Sequence, residues 1–355
     1  MDNLKNIIGE KNFKKITDYR KNLINSRQNL IDLLPLNEPL SISVGLTNRC
    51  NFGCVFCPTG DLELTRKSNK IATGMMSDKV FYKIIDDILK FKKKIRKLSL
   101  TGFGEPFLHK NIVKYFKYIK EKKATEKVSV TTNGSLLQRF DMKEIVQNLD
   151  EIIFSIEHVD KTGYKKVTRN FENFDLILDN IRKLHQTKNE VGSRLKTHIK
   201  ILDLNLSDSD KKKFFDLFEK YSDTINIDFA HSFTHSDKHD FSLGTNIFKK
   251  TKDGFDRNSD DNMVCSQLFM YLKTLWNGNV VACCADWKHE LIIGNIFENS
   301  LLEIWNGDKL NQLRLTHIYK SKNLVGPCKN CDFIRNVNPK DDLSFYKDKL
   351  RQIFK

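Results

Sequence analysis

LSISVGL at 40–46, running directly into TNRCNFGCVFCP at 47–58, is the stretch on which the fold turns. The first part is a short apolar run and reads as a buried strand. The second places Cys50, Cys54 and Cys57, spaced x3 and x2, in the loop that leaves that strand. Three thiolates so spaced can each take one iron of a cubane and leave the fourth iron open. A structural zinc site normally closes with four ligands, and no fourth Cys or His lies nearby. Zinc, and three free or redox-active thiols, are the competing readings.

Outward from this loop, strands and helices alternate. Helices are expected at about 78–93, 110–122, 142–148, 171–187 and 208–221, and strands at 97–102, 127–134, 151–157, 197–204 and 225–230. Six short strands with intervening helices imply a parallel sheet covered by helices, and right-handed crossovers curl six such units into an incomplete barrel. The fold class expected is therefore α/β, a partial (β/α)6 TIM-like barrel with a small C-terminal domain. Active sites in such sheets lie at the C-terminal ends of the strands, where the cysteine loop sits.

The expected organisation is a helical extension at 1–38, broken by Pro35 and Pro39, the barrel at 39–230 and a polar linker at 231–262. A cysteine-bearing domain follows at 263–340, with a hairpin turning at Trp276-Asn277-Gly278-Asn279 and a helix at about 299–315, and a C-terminal helix is expected within 341–355. A chain of 355 residues accommodates one barrel-sized domain and a smaller one. No stretch approaches the ~18–20 apolar residues of a membrane span, and Lys and Glu interrupt the first residues, so no membrane partner and a cytoplasmic location are expected. The net charge of +15 suits an anionic substrate or a nucleic acid, but the lysines are spread without a dominant basic block. A solvated surface is the simpler account, and a nucleic-acid partner is not expected.

Eight cysteines in a chain of this kind point to metal or redox chemistry rather than disulfides. After Cys57 the next is Cys265, followed by Cys283, Cys284, Cys328 and Cys331. Cys265-x12-Gly278-x4-Cys283 sets a glycine turn between two thiols, and Cys328-x2-Cys331 adds a second pair. Four thiolates would saturate a cubane and suit it to electron transfer. Four around one zinc is the alternative that spacing alone leaves open.

TNRCNFGCVFCP resembles the defining loop of the radical S-adenosylmethionine (SAM) enzymes. The resemblance implies a 4Fe–4S cluster on Cys50, Cys54 and Cys57, SAM on its open iron, and Phe56 against the adenine. LSLTGFGEP (98–106) resembles the family's GGEP-type segment that binds the SAM amino group, with Gly104 and Glu105 in place but Phe103 interrupting the glycines. By the same resemblance Asn133 in TTNG (131–134) and Ser155 in FSIE (154–157) face the SAM ribose and carboxylate, and Arg169 pairs with the carboxylate. Glu157 stands where many relatives have Asp. The glycine-rich segment often seen at the fifth strand is not recognisable in THIKILDLNL (197–206).

The second group, with the paired cysteines of VVACCADW and GNI at 294–296, resembles auxiliary-cluster domains of the SPASM and Twitch type. It implies one auxiliary 4Fe–4S cluster on Cys265, Cys283, Cys328 and Cys331, with Cys284 the alternative to Cys283. Val337 occupies the position where a full SPASM domain would continue its cysteines, so the single-cluster form is expected. Single-cluster relatives include an enzyme that oxidises a secondary alcohol of an aminocyclitol, which favours dehydrogenation or related modification of a sugar-like or cyclitol substrate. An electron donor such as flavodoxin or ferredoxin is implied. Competing readings are peptide maturation, activation of another protein, RNA modification, and a non-catalytic iron–sulfur electron carrier. Peptide-modifying relatives commonly carry an N-terminal recognition module of about 80 residues, whereas about 40 precede the first strand here. No catalytic base is identifiable; His231 and His235 are the candidates after the sixth strand.

Overall fold

The computed structural model describes residues 2–60, 72–230, 263–329, 331, 333 and 338–355. The expected linker at 231–262, with His231 and His235, and Val337 lie outside the described residues. Six strands, β1 (Ser41–Val44), β2 (Lys97–Leu100), β3 (Val128–Thr132), β4 (Glu151–Ile156), β5 (Lys196–Asp203) and β6 (Thr224–Phe229), run parallel in sequence order. The helices between them are α2 (Asp78–Leu89), α3 (Ile112–Glu121), α4 (Met142–Asn148), α5 (Lys161–Thr168), α6 (Phe174–Glu190) and α7 (Asp208–Phe218).

The strands are not continuous apolar runs but alternate with period two. Ile42, Leu98 and Val128 share one register row, and Phe154, Ile199 and Ile225 another, all buried. The opposite face carries Ser43–Ser99–Ser129 in one row and Ser155–Lys200–Asn226 in another. Successive side chains on a strand point to opposite faces, so the sheet has an apolar face under the helices and a polar face lining the partial barrel. A polar lumen is what a site for charged ligands requires.

α1 (Asp2–Asn25) is two helical segments joined at Gly9, whose φ of 78 and ψ of 161 break the helix. It packs on α7 and the edge strand β6, with Lys15 Nζ 3.1 Å from Glu219 Oε1 and Tyr19 stacked on His198 at 5.6 Å. An exposed β6 edge is thereby covered.

The C-terminal half extends the same sheet. After the short helix α8 (Gln267–Met270), β7 (Tyr271–Thr274) lies parallel beside β1, with Lys273 in register with Ser43. β8 (Asn279–Val281) and β9 (Ile292–Asn295) follow antiparallel, giving the order β6-β5-β4-β3-β2-β1-β7-β8-β9. Gly278 turns the β7–β8 hairpin at φ +88, a conformation that glycine adopts without strain. The expected single helix at 299–315 is two, α9 (Leu301–Asn306) and α10 (Asp308–Tyr319), because Gly307 is extended at φ −77, ψ 160. α11 (Lys347–Ile353) ends the chain. Trp305 Nε1 donates to Leu36 O at 2.9 Å, and the Arg314 guanidinium stacks 4.3 Å from the Trp305 ring while its Nε donates to Leu268 O. These contacts fasten α9 and α10 to the sheet.

Candidate functional site

The loop after β1 carries Cys50, Cys54 and Cys57 and is clamped by the end of α5. Gly53 N–H donates to Thr168 O at 3.0 Å and Val55 N–H to Val167 O at 2.9 Å. Asn170 bridges twice, its Oδ1 accepting from Gly53 N–H at 3.0 Å and its Nδ2 donating to Asn51 O at 3.2 Å. Arg169, left-handed at φ 66, donates from its guanidinium to Gly60 O at 3.0 Å. A Cβ at Gly60 would stand 2.3 Å from Cys54 O, so the fold admits only glycine there. The sequence alone does not single out α5, Asn170 or Gly60. The Asn that follows Arg169 and the glycine three residues after Cys57 were the available signals.

From the other side, the loop meets the ends of β2 and β3. A Cβ at Gly104 would lie 2.5 Å from Arg49 O and 2.6 Å from Thr47 O, and Glu105 N–H donates to Arg49 O at 2.9 Å. The Glu105 carboxylate is 2 % exposed and accepts from Thr132 Oγ1 (2.7 Å), Asn133 N–H (2.8 Å) and Phe107 N–H (3.0 Å). Its oxygens therefore tie β2 to β3, and burial pushes its acid up to about 7 against those three hydrogen bonds. Asn133 donates to Asn51 Oδ1 at 3.0 Å and lies 4.0 Å from the Cys50 sulfur. Phe56 is half-buried beside the core, one residue before Cys57.

At the end of β4, Glu157 is 6 % exposed, and among the described residues one of its carboxylate oxygens has no hydrogen-bond partner. Burial pushes its acid up to about 8, while Lys200 and a hydrogen bond from Ser155 oppose the rise. Ser155 and Glu157 share a face of the chain next to the cysteine loop, since the Glu157 charge is felt at Cys54 and Cys57. An orphaned buried oxygen beside three thiols, with glycines where no side chain fits, suits a polar ligand held over a metal cluster. Gly104, Glu105, Asn133 and Ser155 thus gather around the loop. Arg169 instead holds the loop's own backbone at Gly60.

The second group assembles from three places: Cys265 before α8, Cys283 after β8, and Cys328 with Cys331 in one turn, where Cys331 N–H donates to Cys328 O at 3.2 Å. The charges of Cys265, Cys283 and Cys331 all act on Cys328, so these four thiols converge. Cys284 is not among the charges felt at Cys328, although it feels Cys265 and, like Cys283, acts on Tyr271 and Lys273. Ala285 N–H donates to the Cys283 sulfur at 3.3 Å, and Lys322 Nζ donates to Cys328 O and Lys329 O, each at 3.1 Å. Burial raises the thiols of Cys54, Cys57, Cys265 and Cys328, the reverse of an activated nucleophile and a state that bound iron would offset.

A single zinc, with Zn–S near 2.3 Å, would set its thiolates about 3.8 Å apart. Among the described residues, no three cysteine sulfurs lie within 4.8 Å of one another. The compact set His158, Asp160 and Asp210 is half-exposed, and Asp160 and Asp210 serve as helix caps on Gly163 N–H and Ser207.

A parallel β/α sheet with an open three-thiol loop at the end of β1 and a four-thiol cage on the same sheet defines a radical iron–sulfur enzyme. The radical SAM superfamily model matches residues 44–218, and the iron–sulfur cluster-binding (SPASM) domain model matches 265–332. The chain belongs to the radical SAM superfamily, with a SPASM-type C-terminal region, and works with a SAM-binding 4Fe–4S cluster, an auxiliary cluster and SAM. A probable GTP 3′,8-cyclase of Methanococcus maripaludis is 30% identical over 128 residues, 36% of this chain and 40% of that protein. A GTP 3′,8-cyclase of Clostridium perfringens is 29% identical over 195 residues, 53% of this chain and 54% of that protein. The chain thus spans about two-fifths to half of these relatives. Among solved structures, BtrN in complex with AdoMet and 2-DOIA aligns at TM-score 0.51 and 19% identity, over 82% of this chain and 92% of that one. Streptococcus suis SuiB bound to S-adenosylmethionine aligns at TM-score 0.58 and 16% identity, over 92% of this chain and 75% of that one. At such identities the likeness is one of fold. Among the described residues no helix is long and apolar enough to cross a membrane.

Proposed function

We propose that this enzyme oxidises a sugar-like or cyclitol substrate by two electrons, removing hydrogen from carbon and passing the remaining electron to the C-terminal cysteine cage. The observation that carries this reading is the convergence of Cys265, Cys283, Cys328 and Cys331 on the sheet that also carries the SAM-type loop. When bound, SAM on the reduced first cluster supplies a 5′-deoxyadenosyl radical, and a second cluster supplies an electron acceptor. The chain's own contribution is positional. Cys50, Cys54 and Cys57 would hold the first cluster, Gly104 lets the β2 end pack against the backbone of Thr47 and Arg49 in that loop, and Glu105 and Asn133 fix the rim beside Cys50. Ser155 and Glu157 offer SAM hydroxyl and carboxylate partners, Phe56 an apolar face for adenine, and Arg169 acts through Gly60 O. Cys283 is taken as the fourth ligand of the cage over Cys284, a choice supported by its charge being felt at both Cys265 and Cys328. The donor is an acidic one-electron carrier of flavodoxin or ferredoxin type, matched to the net charge of +15.

The test is iron and sulfide content of anaerobically reconstituted protein, with 5′-deoxyadenosine release, for wild type and a Cys50/Cys54/Cys57→Ala variant. About eight irons in wild type, about four in the variant, and deoxyadenosine from wild type alone are expected. Product mass then decides the reaction. A loss of two hydrogens supports oxidation, whereas a product isomeric with its substrate would replace it by a rearrangement of the kind named for the GTP 3′,8-cyclases. A fully loaded protein that releases no deoxyadenosine with any substrate would sink the reading.

A further inference from the structure

Lys273, on β7, is 3 % exposed and faces the lumen in register with Ser43. Its ammonium lies 4.3 Å from the centroid of the Phe103 ring, the residue that interrupts the glycines of GFGEP. A ring face attracts a cation, but it leaves the three N–H donors of the ammonium uncommitted. Among the described residues no carboxylate is ion-paired with Lys273, and the charges felt at its ammonium are, in order, those of Cys284, Cys283 and Asp286. Asp286 is felt from farther off, and its oxygens accept Glu290 N–H at 3.1 Å and Leu291 N–H at 2.7 Å. The other lumen lysines are paired: Lys200 with Asp228 at 3.5 Å, and Lys97 and Lys127 with Glu151 at 2.6 and 2.7 Å. A buried ammonium is costly unless counter-charges surround it; Cys284 and Cys283 stand on one side of Lys273, and on the lumen side the counter-charge can arrive with a ligand.

We infer that Lys273, held by Phe103 at the seam between the SAM loop and the C-terminal cage, binds an oxyanion of the substrate, a phosphate or a carboxylate. The inference rests on the radical SAM reading of the lumen and adds the class of substrate: one with an anionic group set between the two cluster sites. Phe103 then has a purpose that a glycine could not serve, and Lys273 draws the reacting carbon to the wall shared by both centres.

Inorganic phosphate and succinate, titrated calorimetrically into the cluster-loaded, SAM-bound protein, test it; the two arms distinguish phosphate from carboxylate. Saturable binding of at least one anion is expected, weakened about thirtyfold or more in Lys273→Met and largely kept in Lys273→Arg. Phe103→Leu, which keeps the bulk and removes the ring face, is expected to lie between. Iron content and SAM affinity are read on the same samples. Absence of saturable binding in wild type, or equal binding by Lys273→Met, overturns the inference. So does a parallel loss of SAM affinity, which would assign the ammonium to the SAM carboxylate, or a shift of the second cluster's midpoint potential as the sole effect, which would make it a counter-ion. Deoxyadenosine release without any added anion reports the radical SAM reading separately, so failure of one is told from failure of the other.

Discussion

Gly104 and Glu157 make the site's demands at single residues testable. A Cβ at Gly104 meets backbone oxygens of Thr47 and Arg49 at 2.6 and 2.5 Å, atoms that cannot swing aside as a side chain can. Gly104→Ala is therefore expected to displace the segment entering Cys50, and iron should fall from about eight toward about four per chain while the C-terminal cluster stays. Iron analysis with the spectrum of the remaining cluster checks this; full iron with unchanged SAM affinity would remove Gly104 from the site. Glu157 carries a pH signature. Its acid is pushed up to about 8 from 4.5, so the folded protein prefers it neutral. That contribution is fully present below about pH 4.5 and is lost as pH rises through 8, at about 1.4 kcal/mol for each unit. Cluster-free wild type should lose more thermal stability between pH 6 and 8.5 than Glu157→Gln, with Glu105 supplying the remaining slope. Equal slopes would show that Glu157 is not desolvated.

α5 is the element that turns a cysteine motif into a fixed loop. Its last turn accepts Gly53 N–H and Val55 N–H, and the two residues beyond it add Arg169 on Gly60 O and Asn170 on Gly53 and Asn51. Arg169→Ala and Asn170→Ala each remove such bonds, worth about 1 kcal/mol apiece. Arg169→Ala, losing one bond, should speed chelator-driven loss of the first cluster about fivefold, and Asn170→Ala, losing two, about thirtyfold, leaving the second cluster's loss unchanged. Equal loss rates for both clusters would refute a local clamp. The helix is hard to read from sequence because KTGYKKVT (161–168) is only eight residues long, has a mid-helix glycine and carries few apolar residues, whereas the longer helices and six parallel strands declare themselves over more residues. Both cysteine groups and the glutamate after Gly104 were legible, because ligand chemistry fixes residue type and spacing. What those residues touch was not: that Glu105 is spent on Thr132, Asn133 and Phe107 depends on how β2 meets β3. The pairing of β7 with β1 joins segments more than two hundred residues apart, beyond any local pattern.

That long-range pairing governs the behaviour of the molecule as a whole. Gly45 N–H donates to Thr274 O and Leu40 N–H to Met270 O, both at 2.9 Å, so the strand that feeds the SAM loop is hydrogen-bonded to the strand that begins the C-terminal hairpin. Trp305 Nε1 on Leu36 O and the Asp87 carboxylate on Leu301 N–H, at 2.9 and 3.3 Å, tie α9 to the segment before β1 and to α2. The apolar residues of both halves also form one continuous buried cluster. A sheet and core shared in this way should unfold together, since neither half can leave without baring the other's strand edge and apolar surface. Trp305→Ala, which removes a fully buried ring, is expected to destabilise the protein by about 3–5 kcal/mol. The loss should appear as one transition at lower denaturant, coincident by far-UV circular dichroism and by bleaching of the first cluster, although Trp305 belongs to the other half. Two separated transitions, with the first cluster surviving after the C-terminal half has melted, would show that β7 leans on β1 without stabilising it. A single shifted transition would mean that the cage and the SAM loop keep their relative placement only as long as the whole sheet stands.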